Sequence, residues 1–230
     1  MAKTTIKTQQ VKIRRTPKFL PFLVTGAVIG VIIAVIFYPF FLVLIMNPKW
    51  KKFSFKLFTL WSWLMRIFCF YGVRVMEKAP LPKGPYIIVA NHTSYLDIFL
   101  MHSILPKYPF VFLGKSEILK YPILGTYFKN LNIPVYRKDK SKAGQAYSLA
   151  NKAVADGWSI VIFPEGTRSK TGEPLEFAQS GLKILCKYAP SAYIVPITIN
   201  NSWKVYQYGY FPLSVGHHIK FTVHKSFKVS

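Results

Sequence analysis

Acidic residues are scarce in this chain. Eight Asp and Glu stand against 31 Lys and Arg, a formal net charge of +23 over 230 residues. Such a field argues against a cationic partner and favours an anionic one: nucleic acid, a phospholipid surface or a phosphorylated substrate. Cysteine is nearly absent as well. Cys69 and Cys186 are the only two, both in apolar or helical settings without metal-ligand spacing. That leaves no cysteine metal site and suits reduced thiols in a cytosol-facing protein. Neither an internal repeat nor a low-complexity tract is present, which sets aside solenoid architectures. What the chain has in quantity is apolar: 17% aromatics and a positive mean hydropathy speak against a simple nucleic-acid binder and for a membrane.

The charge is unevenly laid. Residues 1–84 hold fourteen Lys and Arg but one acid, Glu77. Residues 1–19 form a polar, basic tail. Leu20 to Met46 then runs 27 residues without a charge, roughly 40 Å as a helix against about 30 Å of hydrocarbon. The run is too long for a signal-peptide core and reads as a membrane segment retained in the mature protein. Both its flanks are basic, so one crossing and a re-entrant or kinked segment stay open. Lys49, Lys51, Lys52 and Lys56 make a second basic cluster, followed by the aromatic-rich stretch Leu57–Tyr71. Trp61, Trp63 and the flanking cations suit a helix lying in the headgroup region; a core helix with snorkelling cations is the alternative.

From Arg74 the rhythm changes to short strands alternating with helices. Strands are expected at 86–90, 109–113, 132–136, 158–163, 193–199 and 218–224. Helices are expected at 95–104, 117–128, 141–156 and 180–188, the third capped by Ser141 and ended by Gly157. This alternation predicts an α/β fold with a mixed, largely parallel sheet flanked by helices, its function carried by loops at strand ends. Three segments follow: the tail at 1–19, a membrane-anchoring helical segment at 20–75 and a catalytic domain at 76–230.

The central stretch is Tyr86-Ile-Ile-Val-Ala-Asn-His-Thr-Ser-Tyr-Leu-Asp97, a buried strand that runs into His92 and then a helix start. With Asp97 in the first helical turn, its carboxylate can accept the Nδ1 proton of His92 and leave Nε2 as a base. The pair has no nucleophile of its own, so the activated hydroxyl belongs to a substrate. Ser94-x-x-Asp97 is equally a capping-box pattern, which gives both residues a structural alternative. A second constellation closes the strand at Trp158–Pro164: Glu165-Gly166-Thr167-Arg168-Ser169 puts a carboxylate, a glycine, a hydroxyl and a guanidinium in one turn. Its glycine spacing fits neither a Walker loop nor a dinucleotide fingerprint; Arg168 suits a phosphate. Lys115 and Arg137 leave two further strands, so three cations can converge on one anion.

These blocks reach a family. Asn91-His92-x-x-x-x-Asp97, Gly114-Lys115-x-Glu117 with Pro122, Gly125, Ile133 and Arg137, Phe163-Pro-Glu-Gly-Thr-Arg-Ser169, and Val195-Pro-Ile-Thr-Ile199 resemble, in order and spacing, the four blocks of the glycerolipid acyltransferases. The bacterial 1-acyl-glycerol-3-phosphate acyltransferases are the nearest likeness, over about residues 80–224. The resemblance implies His92 as general base on the acceptor hydroxyl and Asp97 as its orienter. It implies a glycerol-phosphate site made by Glu165, Gly166, Thr167 and Arg168 with Lys115 and Arg137. It further implies an acyl thioester donor, carried by coenzyme A or acyl carrier protein, with lysophosphatidic acid as acceptor and phosphatidic acid as product. No metal, cofactor or nucleic acid is expected, and the catalytic portion is expected at the cytoplasmic face of a bacterial inner membrane. Leu131 stands where the family often has glycine, and Val223-His-Lys-Ser226 replaces its usual ending. The competing readings are the same chemistry on glycerol 3-phosphate or a lyso-aminolipid, and a non-catalytic membrane adaptor that binds anionic lipid.

Overall fold

The computed structural model describes residues 20–68, 72–206 and 217–228. The basic tail at 1–19 and Cys69 lie outside the described residues. Two helices come first, α1 (Leu20–Ile45) and α2 (Lys51–Phe68), and then an α/β unit. Its strands are β1 (Gly72–Lys78), β2 (Tyr86–Ala90), β3 (Phe110–Lys115), β4 (Ile133–Val135), β5 (Ser159–Ile162), β6 (Tyr193–Asn200), β7 (His218–Val223) and β8 (Phe227–Lys228). Its helices are α3 (Leu96–Ile104), α4 (Pro122–Leu131), α5 (Lys140–Ala155) and α6 (Gln179–Tyr188).

The strands form one sheet in the order β1-β7-β6-β2-β5-β3-β4, with β8 also on β6. The neighbours from β6 to β4 and the pair β1–β7 run parallel; β6 is antiparallel to β7 and β8. The expected mixed, largely parallel sheet is therefore present. β2 and β5 lie at its centre and are covered on both faces, so they read as continuous apolar runs, YIIVA and SIVI. Pro196 sits in β6 between residues paired to β8 and residues paired to β7, a gap in the antiparallel ladder where its missing N–H costs least.

Four local departures from expectation have plain causes. β1, read from sequence as no strand, is a charged edge: Arg74, Glu77 and Lys78 interrupt its apolar residues, and β7 alone pairs with it. β8, equally unforeseen, is only two residues long. The helix expected at 117–128 is broken into a 3₁₀ turn, Ser116–Lys120, and α4. Tyr121, which precedes Pro122, is held extended (φ −87°, ψ 121°) because the proline disfavours a helical residue before it. Finally, α5 is capped not by Ser141 but by Asp139, whose carboxylate accepts from the Lys142 N–H at 3.0 Å. Gly157 ends it at φ +82°, as foreseen.

The N-terminal helices divide their surfaces. On α2, Ser54, Phe55, Phe58, Trp61 and Ser62 are buried at helical spacing. Phe55 belongs to the main core, whereas Phe58 and Trp61 join Ile33 and Phe41 of α1 and Tyr127 and Leu131 of α4 in a second cluster. The opposite face exposes Phe53, Leu60, Trp63 and Ile67. The buried face packs as a core helix would, and the other face leaves its aromatic and aliphatic side chains uncovered. Within α1, Val28–Ile45 is the one described helix segment long and apolar enough to cross a membrane, with 11% of it buried.

Candidate active site

β2 and β5 are adjacent and parallel, so their C-terminal ends open on the same side of the sheet. The loop after β2 is fixed before it reaches His92. Asn91 accepts from the Ile199 N–H at 2.7 Å and donates to the Ile199 carbonyl at 2.8 Å, extending the β2–β6 pairing with a side chain. The main chain of His92 is clamped by the β5 loop: its N–H donates to Glu165 Oε1 at 2.9 Å, and its carbonyl accepts from the Ser169 N–H at 2.9 Å. The imidazole stacks on Phe163 with centroids 4.1 Å apart.

His92 Nδ1 lies 2.8 Å from Asp97 Oδ2. A carboxylate oxygen only accepts, so Nδ1 donates to it, and in a neutral imidazole Nε2 is then the acceptor nitrogen. Asp97 is fully buried, and its Oδ2 also accepts from the N–H groups of Thr93 (2.8 Å) and Ser94 (2.9 Å), while Oδ1 accepts from Ser202 Oγ at 2.7 Å. Ser94 Oγ in turn accepts from the Leu96 N–H at 3.1 Å. The capping turn and the His–Asp pair are one structure. The carboxylate that ties down the helix start also holds the imidazole.

His92 lines a cavity of about 530 Å³. Four cations, Lys115, Lys120, Arg137 and Arg168, face it against one acid, Glu117, and Ile98, Phe112, Leu113, Phe128 and Phe163 supply an apolar wall. The Arg168 guanidinium carbon lies over the Tyr95 ring, 3.4 Å from its centroid, a cation–π contact that holds the side chain at the cavity. Arg137 donates to the Gly166 carbonyl at 3.1 Å. Gly166 has φ +67°, which is why the turn favours glycine, and a Cβ there would come within 2.8 Å of Arg137 Nη1, so the guanidinium would have to shift. Of the residues assigned from sequence to the phosphate site, Lys115, Arg137, Gly166, Thr167 and Arg168 line this cavity with His92.

Glu165 is the exception. Its side chain turns beneath the loop, where Oε1 holds His92 N and Oε2 accepts from the Leu175 N–H at 3.1 Å. It is buried and does not line the cavity. It satisfies two amides of the loops that carry the site and, unlike the other residues assigned to the phosphate site, is not brought to the cavity wall. Sequence reasoning gave no role to Thr93, Tyr95, Phe163 or Ser202. Tyr95 and Phe163 had a signal, each being within three residues of a named site residue. Ser202 had none, lying 105 residues from its partner. Among the described residues no three His, Cys, Asp or Glu side chains gather as a metal site would require.

A His–Asp pair thus stands beside a cavity lined by cations and apolar side chains. A family model described as Acyltransferase matches residues 72–200, more than half of the chain, and the chain belongs to that family. It is 29% identical over 178 residues to the chloroplastic 1-acyl-sn-glycerol-3-phosphate acyltransferase LPAT1 of Arabidopsis thaliana, covering 76% of this chain and 48% of that protein. It is 30% identical over 143 residues to the 1-acyl-sn-glycerol-3-phosphate acyltransferase of Borreliella burgdorferi, covering 57% and 53%. The chain spans about half the length of the curated relatives it matches. The fold is shared with the crystal structure of the 1-acyl-sn-glycerophosphate (LPA) acyltransferase PlsC from Thermotoga maritima, with a TM-score of 0.74 and 24% identity over 91% of this chain and 85% of that one.

Proposed function

We propose that this protein moves an acyl group from an acyl thioester, on coenzyme A or acyl carrier protein, to the sn-2 hydroxyl of 1-acyl-glycerol-3-phosphate, giving phosphatidic acid. The observation that carries this reading is that His92, held at Nδ1 by Asp97, lines one cavity with Lys115, Arg137 and Arg168 and an apolar wall. The acceptor's phosphate lies among the three cations, with Thr167 at its edge, and the acyl chain lies along Ile98, Phe112 and Phe128. Nε2 takes the hydroxyl proton as the oxygen attacks the thioester carbonyl. The tetrahedral intermediate collapses, the carbon–sulfur bond breaks, and the departing thiolate receives the proton from the imidazolium. Asp97 keeps the ring in the required tautomer throughout. General-base catalysis supplies roughly 10²–10⁴ in rate, and positioning by the anion site supplies much of the remainder. No metal ion or cofactor enters these steps.

α1 anchors the protein in the bilayer, and the exposed aromatic face of α2, beside Lys49, Lys52 and Lys56, rests in anionic headgroups at the cytoplasmic face of a bacterial inner membrane. A relative named as a lyso-ornithine lipid O-acyltransferase, from Rhizobium meliloti, is 32% identical over 111 residues. The cation cluster favours a phosphate over an ornithine headgroup as acceptor. The test is a liposome assay with labelled acyl thioesters of both kinds and a panel of lysophosphatidate, glycerol 3-phosphate and lyso-aminolipid. Product is expected with lysophosphatidate and lost in His92→Ala, which stays folded and membrane-bound. Near-normal transfer by that variant removes the base role; lipid binding without product from any acceptor makes the protein an adaptor.

A further inference from the structure

We infer that Ser202, backed by Thr93, is a positioning residue for the His92–Asp97 pair; the inference rests on the proposed acyl transfer for its kinetic consequence alone. Ser202 is fully buried at the start of a 3₁₀ turn that follows β6. Its Oγ donates to Asp97 Oδ1 at 2.7 Å and also meets Thr93 Oγ1 at 2.5 Å. A serine hydroxyl has one proton, and that proton is committed to the carboxylate. The second contact must therefore run from Thr93 Oγ1–H to Ser202 Oγ. The direction of the whole chain follows: Thr93 donates to Ser202, Ser202 to Asp97 Oδ1, and His92 Nδ1–H to Asp97 Oδ2.

The chain is built at a cost. Asn201, directly before Ser202, adopts φ +70°, a left-handed conformation that asparagine and aspartate tolerate better than most side chains, and its Nδ2 donates to the His218 carbonyl at 3.2 Å. Upstream, Asn91 holds both polar groups of Ile199. The turn is thus pinned on both sides and delivers one hydroxyl to the far oxygen of the carboxylate. Without it, Oδ1 is a buried acceptor with no partner among the described residues, and the carboxyl plane is held at Oδ2 alone, by the imidazole and the amides of Thr93 and Ser94. The Ser202 donor also spreads the carboxylate's charge. Removing it concentrates that charge at Oδ2 and tightens the hold on the imidazole proton.

The experiment compares wild type with Ser202→Ala and with the near-isosteric Thr93→Val, in detergent and in liposomes. The first readout is the nitrogen-15 and proton NMR signal of His92 Nδ1–H, identified by its loss in His92→Ala and followed against pH. The second is the pH profile of kcat with labelled acyl thioester and lysophosphatidate. Ser202→Ala is expected to move the Nδ1–H resonance, shift the acid limb of kcat to higher pH, and lower kcat on the order of tenfold at unchanged KM. Thr93→Val moves the same readouts in the same direction by less. An unmoved resonance and pH limb in Ser202→Ala overturn the inference. A moved resonance with unchanged kcat overturns it too, since the hydroxyl would then be structural only. Should wild type transfer no acyl group, the proposed function fails, and the pH titration of the His92 signal still decides whether Ser202 governs the pair. Thermal melting separates these effects from misfolding; if Ser202→Ala does not fold, Thr93→Val carries the same test alone.

Discussion

Glu165 separates two accounts of the loop after β5, and Glu165→Gln tests them. The substitution keeps shape and removes charge. In the native loop the two carboxylate oxygens accept one amide each, from His92 and from Leu175, with the side chain buried. Glutamine offers a single acceptor oxygen, so one amide faces its NH₂ group, donor against donor. Hydrogen bonds to a charged group contribute about 1.5–3 kcal/mol each, and losing one of the two costs about 2 kcal/mol by that measure. In a chain of this size that corresponds to roughly 4–8 °C in Tm. The kinetic signature follows from which group moves. The amide of His92 is loosened while the cations of the cavity stay in place, so kcat falls and KM for lysophosphatidate changes little. Differential scanning fluorimetry with steady-state kinetics at saturating thioester reads both effects. A KM raised tenfold at unchanged Tm would refute the bracing role and restore Glu165 to the substrate.

Two further outcomes are expected. His102 is buried on α3 among Phe55, Phe58 and Phe110, neither ring nitrogen has a hydrogen-bond partner, and burial depresses its pKa to about 3. The unfolded chain takes up this proton near pH 6.5 and the folded chain does not, so stability falls as pH drops from 6.5 towards 3, by about 1.4 kcal/mol per unit; His102→Leu should flatten that slope in urea midpoints compared at pH 4.5 and 7.5. Gly166→Ala places a Cβ 2.8 Å from Arg137 Nη1 on a backbone at φ +67°, which costs about 1–2 kcal/mol and should raise KM for the phosphorylated acceptor more than it lowers kcat.

The parts of this molecule that were legible in the sequence are those where one short segment contains its own reason. The central strands announce themselves because burial on both faces leaves no room for polar residues, and α5 because its alanines recur at helical spacing. His92 and Asp97 are five residues apart, so their meeting follows from a turn and a helix start. β1 was missed because an edge strand can carry charges, and the 117–128 helix was overextended because apolar periodicity outweighed the constraint Pro122 places on Tyr121. Glu165 shows a different limit: sequence places a carboxylate near the loop but does not say which way it turns. Ser202 depends on a pairing across the sheet that no local pattern encodes. In α2 the difficulty was a two-sided one, since the same aromatic composition serves packing on one face and exposure on the other.

The separations within the site also set an order of events. The imidazole and its carboxylate come from one short stretch, whereas the atoms that clamp His92 lie 73 residues further along the chain and the hydroxyl behind Asp97 lies 105 residues beyond it. A nascent chain that has emerged through α4 therefore carries both members of the pair and the amides of Thr93 and Ser94, but neither the clamp of the β5 loop nor the Ser202 hydroxyl. Competence arrives only when β5 and β6 have been threaded beside β2. Synthesis from the N-terminus thus delivers the greasy helices first and the finished catalyst last.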